Sequence, residues 1–378
     1  MSSAAFGLLI ITIVFVFVSR TLLQQKTSKR HPKDALGKTS IFDIQPVRDD
    51  FDWKKEEVAQ YRVFKDGPYT MKLGLEKCTY SGLLLIDLMY LKLTNTKIKI
   101  IENHGSKVMG IDELGIDPMN ECYETCINIL LKKYPKYFFI DAQDPTKFIN
   151  QIRNESFPLD PSLFKGTEVI EVLSRNIQED FFVFLPENPD GTGEHVLRAG
   201  VFACSPGVDF RDKISNNLTG IHEPVPYYKD NLQFSMNKFF SRIKVGQCFQ
   251  RKNWHMQANN NFYDPYVPFS EPKFIDAQSA NFDEFSFRYE RQTFTRLPKT
   301  GAFFATIRTF LTPLSLVRNE GRAMELVGAI NGMDDTYGAY RLRHEWGMPA
   351  VAFLKGETDG ITPSIMSREE LKRRFCPM

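Results

Sequence analysis

Histidine and cysteine are both scarce in this 378-residue chain, at six residues each. The cysteines (Cys78, Cys122, Cys126, Cys204, Cys248 and Cys376) are too scattered for a disulfide framework, and none of their spacings fits an iron–sulfur cluster. Several signatures are missing: no G-x-G-x-x-G follows a strand, and there is no Walker loop, H-E-x-x-H or G-x-S-x-G. Their absence sets aside dinucleotide-binding, P-loop, zincin and α/β-hydrolase chemistry. Charge of one sign is lacking too. The formal net charge is +2, with no long basic block outside the N-terminal flank, so nucleic acid is not an implied partner. Cys122 and Cys126 share an apolar helical stripe with Ile129 and Leu130, which reads as buried thiols rather than a metal pair.

Phenylalanine is abundant, at 32 residues, which suits an aromatic core or a pocket for a flat apolar ligand. At the N-terminus, Ser2 to Ser19 carry no charge. As a helix rising about 1.5 Å per residue, that stretch spans roughly 27 Å, enough for a thin bilayer. The run leads straight into Arg20-Thr-Leu-Leu-Gln-Gln, without a basic start or a small-residue cleavage site, which favours an anchor over a cleaved signal peptide. Arg20, Lys26, Lys29, Arg30, Lys33 and Lys38 all follow it, so the positive-inside rule keeps the main domain in the cytosol. The expected layout is a single-pass transmembrane anchor over 1–24, a polar tether over 25–50 and a main domain over 51–378, at a membrane of the endoplasmic reticulum type. Sequons at Asn154 and Asn217 then stay unused.

Within the main domain, residues 82–93 read as a strand or the start of a buried helix. Asp117-Pro118 opens a helix that ends near Pro135. Residues 181–185 and 196–204 form a hairpin around the Asn188-Pro-Asp-Gly turn, and residues 285–297 and 302–310 form a second around Pro298-Lys-Thr-Gly301. Helical patterns follow at 319–330 and 337–346, with a terminal helix from the capping box at 367–370. Helix, antiparallel hairpins and helices again indicate an α+β domain.

Two constellations can carry chemistry. His222 sits in Gly220-Ile-His-Glu-Pro-Val-Pro226, where the prolines predict a stiff extended segment. Such a backbone suits a metal-ligating imidazole, although a satisfied surface or core histidine has the same sequence signature. Along residues 287–298, alternation places Arg288, Glu290, Gln292 and Arg296 on one face and Tyr289 and Arg291 on the other. Polar groups on both faces point either to an exposed edge strand or to a ligand with carboxylates, such as the two propionates of haem. Between them, Arg251 and Trp254 either flank the same planar ligand or belong to ordinary core.

The stretches Gln178-Glu-Asp-Phe181, Gly220-Ile-His-Glu-Pro-Val-Pro226, Arg251-Lys-Asn-Trp254 and Arg288-Tyr-Glu-Arg-Gln-Thr-Phe-Thr-Arg-Leu-Pro298 come in the order of a known family. Together they resemble the HRQ family, related to the α subunit of haem-dependent oxidative N-demethylase. The eponymous tripeptide reads Glu290-Arg291-Gln292 here, a departure at its first letter. The resemblance implies a PAS-like curved antiparallel sheet with flanking helices around haem b. It also implies a monooxygenase that removes a methyl group from an amine, or oxidises another small metabolite, using dioxygen and electrons from a separate reductase. By the same resemblance His222 is the proximal iron ligand, Arg251 or Arg291 pairs with the propionates, Trp254 and Arg296 belong to the cofactor shell, and Glu290 and Gln292 act on the distal side or support it from behind. A non-catalytic haem sensor or carrier is the alternative the resemblance leaves open.

Overall fold

Aromatic and β-branched residues fill the hairpin expected around Pro298-Lys-Thr-Gly301, and in the computed structural model it forms the middle of a seven-stranded antiparallel sheet. The structure describes residues 44–204, 207–264 and 274–363. In chain order the strands are β1 (Glu76–Lys77), β2 (Met109–Ile111), β3 (Phe138–Ile140), β4 (Lys147–Asn150), β5 (Glu155–Pro158), β6 (Asp180–Pro186), β7 (His195–Val201), β8 (Cys248–Gln257), β9 (Ser286–Arg296) and β10 (Phe303–Pro313). The large sheet runs β1-β8-β9-β10-β6-β7-β2, and β3-β4-β5 form a small sheet of their own. The expected α+β class is observed.

Cross-strand register defines two faces of the large sheet. Arg251 lies opposite Gln292, Asn253 opposite Glu290 and His255 opposite Arg288, and Gln292 in turn lies opposite Ile307. Because paired residues point the same way, these side chains share one face with Phe294, Ala305, Phe182, Phe303 and Phe184. That face is covered by the helices Leu218–Ile221 and Gln233–Arg242, whose Leu218, Met236 and Phe240 pack into the same buried aromatic cluster. The opposite face is packed at its two ends. Phe181, Val183 and Phe304 meet the helices Tyr90–His104, Ile116–Lys133 and Glu168–Asn176. Trp254, Phe287, Tyr289 and Phe310 meet the C-terminal helices Ala323–Asn331 and Arg343–Lys355.

The helix expected from Asp117 runs over Ile116–Lys133, with Cys122 and Cys126 fully buried. The stretch 82–93 is neither a strand nor wholly helical: a short 3-10 turn at Tyr80–Gly82 precedes a helix that starts only at Tyr90. The last residues assigned to the tether belong to the body. Ile44 is buried, and the Val47 amide donates to the Lys133 carbonyl at 2.8 Å, so the burial of an apolar side chain outweighed its charged surroundings. Scattered cysteines also converge: Cys78 and Cys248, 170 positions apart, have their sulfurs 2.8 Å from each other, brought together by the β1–β8 pairing. The anchor over 1–24 and the terminal helix expected from Ser367 lie outside the described residues. Among the described residues no helix is long and apolar enough to cross a membrane.

Candidate functional site

The segment carrying His222 is not the stiff extended one that its prolines predict. Leu218–Ile221 forms one helical turn, with the Asn217 side chain accepting from the Gly220 amide at 2.9 Å and His222 closing the turn by donating its amide to the Leu218 carbonyl. Pro224 stops the helix two residues later instead of preventing it, because a proline obstructs the turn before it but not one that has already closed. The imidazole is then fixed twice. Its Nδ1 lies 2.8 Å from the Leu218 carbonyl oxygen, and its ring stacks on Tyr228 at 4.7 Å with planes 6° apart. Since a carbonyl only accepts, Nδ1 carries the hydrogen and Nε2 keeps its lone pair, with no partner among the described residues. Burial, helped by nearby Arg251 and Lys213, pushes the His222 pKa down to about 4, against the pull of the Leu218 carbonyl. The ring is therefore neutral at physiological pH.

Across from it, the polar strip of the sheet face is crowded with donors. Arg251 has a fully buried Nε without a hydrogen-bond partner, and no carboxylate lies within 4.0 Å of its guanidinium among the described residues. Burial lowers its pKa, while Tyr69, Glu290 and Tyr337 act to raise it and Arg341 to lower it, so those four groups lie within its electrostatic reach. Glu290 touches Arg288 at 3.5 Å and accepts from the Gln292 amide at 3.2 Å. Arg288 is buried to 0 % exposure and is held by the carbonyls of Cys204 and Phe262 and the side chain of Gln257. His255, one of the residues that motif reasoning passed over, belongs to the same strip. Its Nδ1 lies 2.9 Å from the Met256 carbonyl and its buried Nε2 has no partner. Burial, with Arg341 and Arg288 nearby, holds its pKa well below the usual histidine value. The pairing of His255 with Arg288 across β8 and β9 was the signal that would have found it, once the register was known.

The structure thus brings His222, Arg251, Glu290, Gln292 and Arg296 to one side of the sheet and puts Arg291 and Trp254 on the other. Arg291 points to the opposite face, where its Nε donates to Gln250 at 2.8 Å. Trp254 is also on that side, packed against Phe64 and Phe287 as ordinary core. A strand cannot present adjacent residues, or residues three apart, on one face, which is why Arg251 and Trp254 part company. Arg296 does share the face of Arg251, but its guanidinium is committed to the carbonyls of Ile243, Phe240 and Gly301 and clamps the end of the covering helix. Among the described residues no group of three or more His, Cys, Asp or Glu could hold a metal ion by itself. A single imidazole beside a carboxylate-hungry arginine and an aromatic wall asks for a ligand that brings most of its own coordination. A family model described as haem-dependent oxidative N-demethylase, alpha subunit-like, matches residues 74–351.

Proposed function

The chain belongs to the haem-dependent oxidative N-demethylase α-subunit-like family, and from that premise we propose that it is a haem-dependent monooxygenase removing a methyl group from an amine or oxidising another small metabolite. The observation that carries the reading is the His222 ring: its Nδ1 is committed to the Leu218 carbonyl, its Nε2 is unpartnered, and burial keeps it uncharged. Neutral imidazole with the distal nitrogen fixed by a carbonyl is the arrangement a metal-ligating histidine needs. Arg251, with an orphaned buried Nε, fits the acidic edge of haem b. Bound haem supplies the redox-active iron at which dioxygen is reduced.

The protein's own contribution is orientation and proton control. Glu290 offers carboxylate oxygens to an amine or ammonium hydrogen, and Gln292, donating to it at 3.2 Å, restrains its rotamer. Demethylation balances as one dioxygen, two electrons and two protons per N–CH3, yielding N–H, formaldehyde and water. The electrons come from a separate reductase, since no flavin, nicotinamide or iron–sulfur motif is present in the sequence. A PAS-like curvature of the sheet and an anchor over 1–24, holding the domain at the cytosolic side of an endoplasmic-reticulum-type membrane, are parts of the same proposal; the charge asymmetry around the apolar run motivates the latter.

The test is an absorption spectrum of the purified full-length chain, followed by reduction and exposure to oxygen with candidate amines. We expect a Soret band that His222→Ala abolishes while circular dichroism is unchanged, and formaldehyde release from the wild type. A wild-type chain that stays colourless after haem supplementation refutes the proposal. One observation favours a second reading, a haem sensor or carrier without turnover: His255 is another neutral imidazole with an unpartnered Nε2 on the same sheet face. A stable six-coordinate spectrum converted to five-coordinate by His255→Ala, with no product from any amine, would select it.

A further inference from the structure

Resting on the haem reading above, we infer that Arg251 and Arg341, together with Tyr69 and Tyr337, form a binding site for a carboxylate. The Tyr337 hydroxyl accepts from both Nε and Nη2 of Arg341, at 3.0 and 2.8 Å. It passes its own hydrogen to the Tyr69 hydroxyl at 2.9 Å, and the two rings stack at 4.2 Å. The relay therefore ends on the Tyr69 O–H, which has no acceptor among the described residues. Arg251 adds a guanidinium that makes no hydrogen bond to the described residues and whose Nε is buried. Neither arginine has a carboxylate within 4.0 Å among the described residues; Glu290 lies against Arg288 and Gln292 instead, at 3.5 and 3.2 Å.

A buried guanidinium Nε without an acceptor, beside a second guanidinium with no carboxylate partner, is costly, and an anion with two acceptor oxygens is the chemistry that completes the pair. Planar guanidinium forks match a carboxylate in both geometry and charge. The site is also tied to the His222 segment. The Tyr227 hydroxyl donates to Asp334 at 3.1 Å, and the same Asp334 oxygen caps the helix Asp335–Tyr340 that carries Tyr337. Burial raises the Tyr69 pKa, so it stays a phenol and remains a donor. Two sources share this chemistry: a propionate of the haem, or the carboxylate of a substrate such as an N-methyl amino acid.

The experiment titrates the full-length chain with protohaem and with its dimethyl ester, in wild type, Arg251→Gln, Arg341→Gln and Tyr69→Phe, and then adds N-methylglycine or dimethylamine. If a propionate occupies the site, the wild type prefers protohaem by roughly tenfold or more, and both arginine variants lose the preference while still binding the ester. If the substrate does, the preference survives, but the spectral response to N-methylglycine vanishes in the arginine variants and that to dimethylamine stays. Arg341→Lys, which keeps the charge, restores part of either effect, whereas a purely structural role would not distinguish acid from ester. Variants matching the wild type in both comparisons overturn the inference. Should the wild type bind neither haem nor ester, the haem reading fails by itself. The carboxylate site is then judged by the thermal shift that N-methylglycine gives the ligand-free chain: a shift absent from Arg251→Gln and Arg341→Gln upholds the site, and no shift in the wild type or an equal shift in all overturns it.

Discussion

Replacing His222 with glutamine removes one titrating group from the molecule while leaving a polar side chain of similar reach. In the folded chain the imidazole has a pKa of about 4, because burial and the neighbouring Arg251 and Lys213 disfavour its cation. In the unfolded chain it returns to about 6.5. The folded value is the lower one, so as pH falls the unfolded state takes up the proton first and gains on the folded state. The stabilisation present above about pH 6.5 is lost progressively down to about pH 4, by about 3 kcal/mol over the full window and by about 2 kcal/mol between pH 7 and pH 5. Glutamine does not titrate, so the stability difference between wild type and His222→Gln should shift by that amount against the wild type on acidification. His195 and His255, whose pKa values burial also lowers, titrate in both proteins and cancel in the subtraction. The assay is urea unfolding of the ligand-free chains at a series of pH values. A difference that stays flat from pH 7 to pH 5 would mean the ring is not held neutral, and the argument for a free Nε2 lone pair would fail with it.

Other expectations follow from the same geometry. Asn217→Ala removes the cap of the turn that carries His222, and should cost about 1 kcal/mol in thermal unfolding and speed haem dissociation several-fold. An unchanged dissociation rate would show that the turn does not position the ring. Asp87→Ala leaves Arg308, paired with it at 3.0 Å and 2 % exposed at its side chain, as a buried cation. The loss should be about 3–5 kcal/mol by denaturant titration, and a loss under about 1 kcal/mol would mean water or Glu179 replaces the partner. Deleting residues 1–24 should move the chain from the membrane pellet to the soluble fraction, and an unchanged distribution would argue against the anchor.

Motifs and periodicity carried a good deal. Period-two alternation at 285–310 predicted the central hairpin and assigned Glu290 and Gln292 to one face and Arg291 to the other, because side-chain direction along a strand depends only on parity. The stripe through Cys122, Cys126, Ile129 and Leu130 gave a helix and a buried role, since helical geometry is local. The proline pair at 224 and 226 misled about His222, because proline acts on the turn preceding it and the Asn217 cap had already closed that turn. Which residues meet was beyond local pattern. His255 joined Arg288, Cys78 met Cys248, and Arg251 came within reach of Tyr69, Tyr337 and Arg341 through strand register and packing over separations of tens to hundreds of residues. Sequence by itself determined the element types and which faces were polar, as these depend on neighbours a few residues away. Only the tertiary structure decided which polar groups were left without partners, because satisfaction of a buried donor depends on every chain segment packed around it.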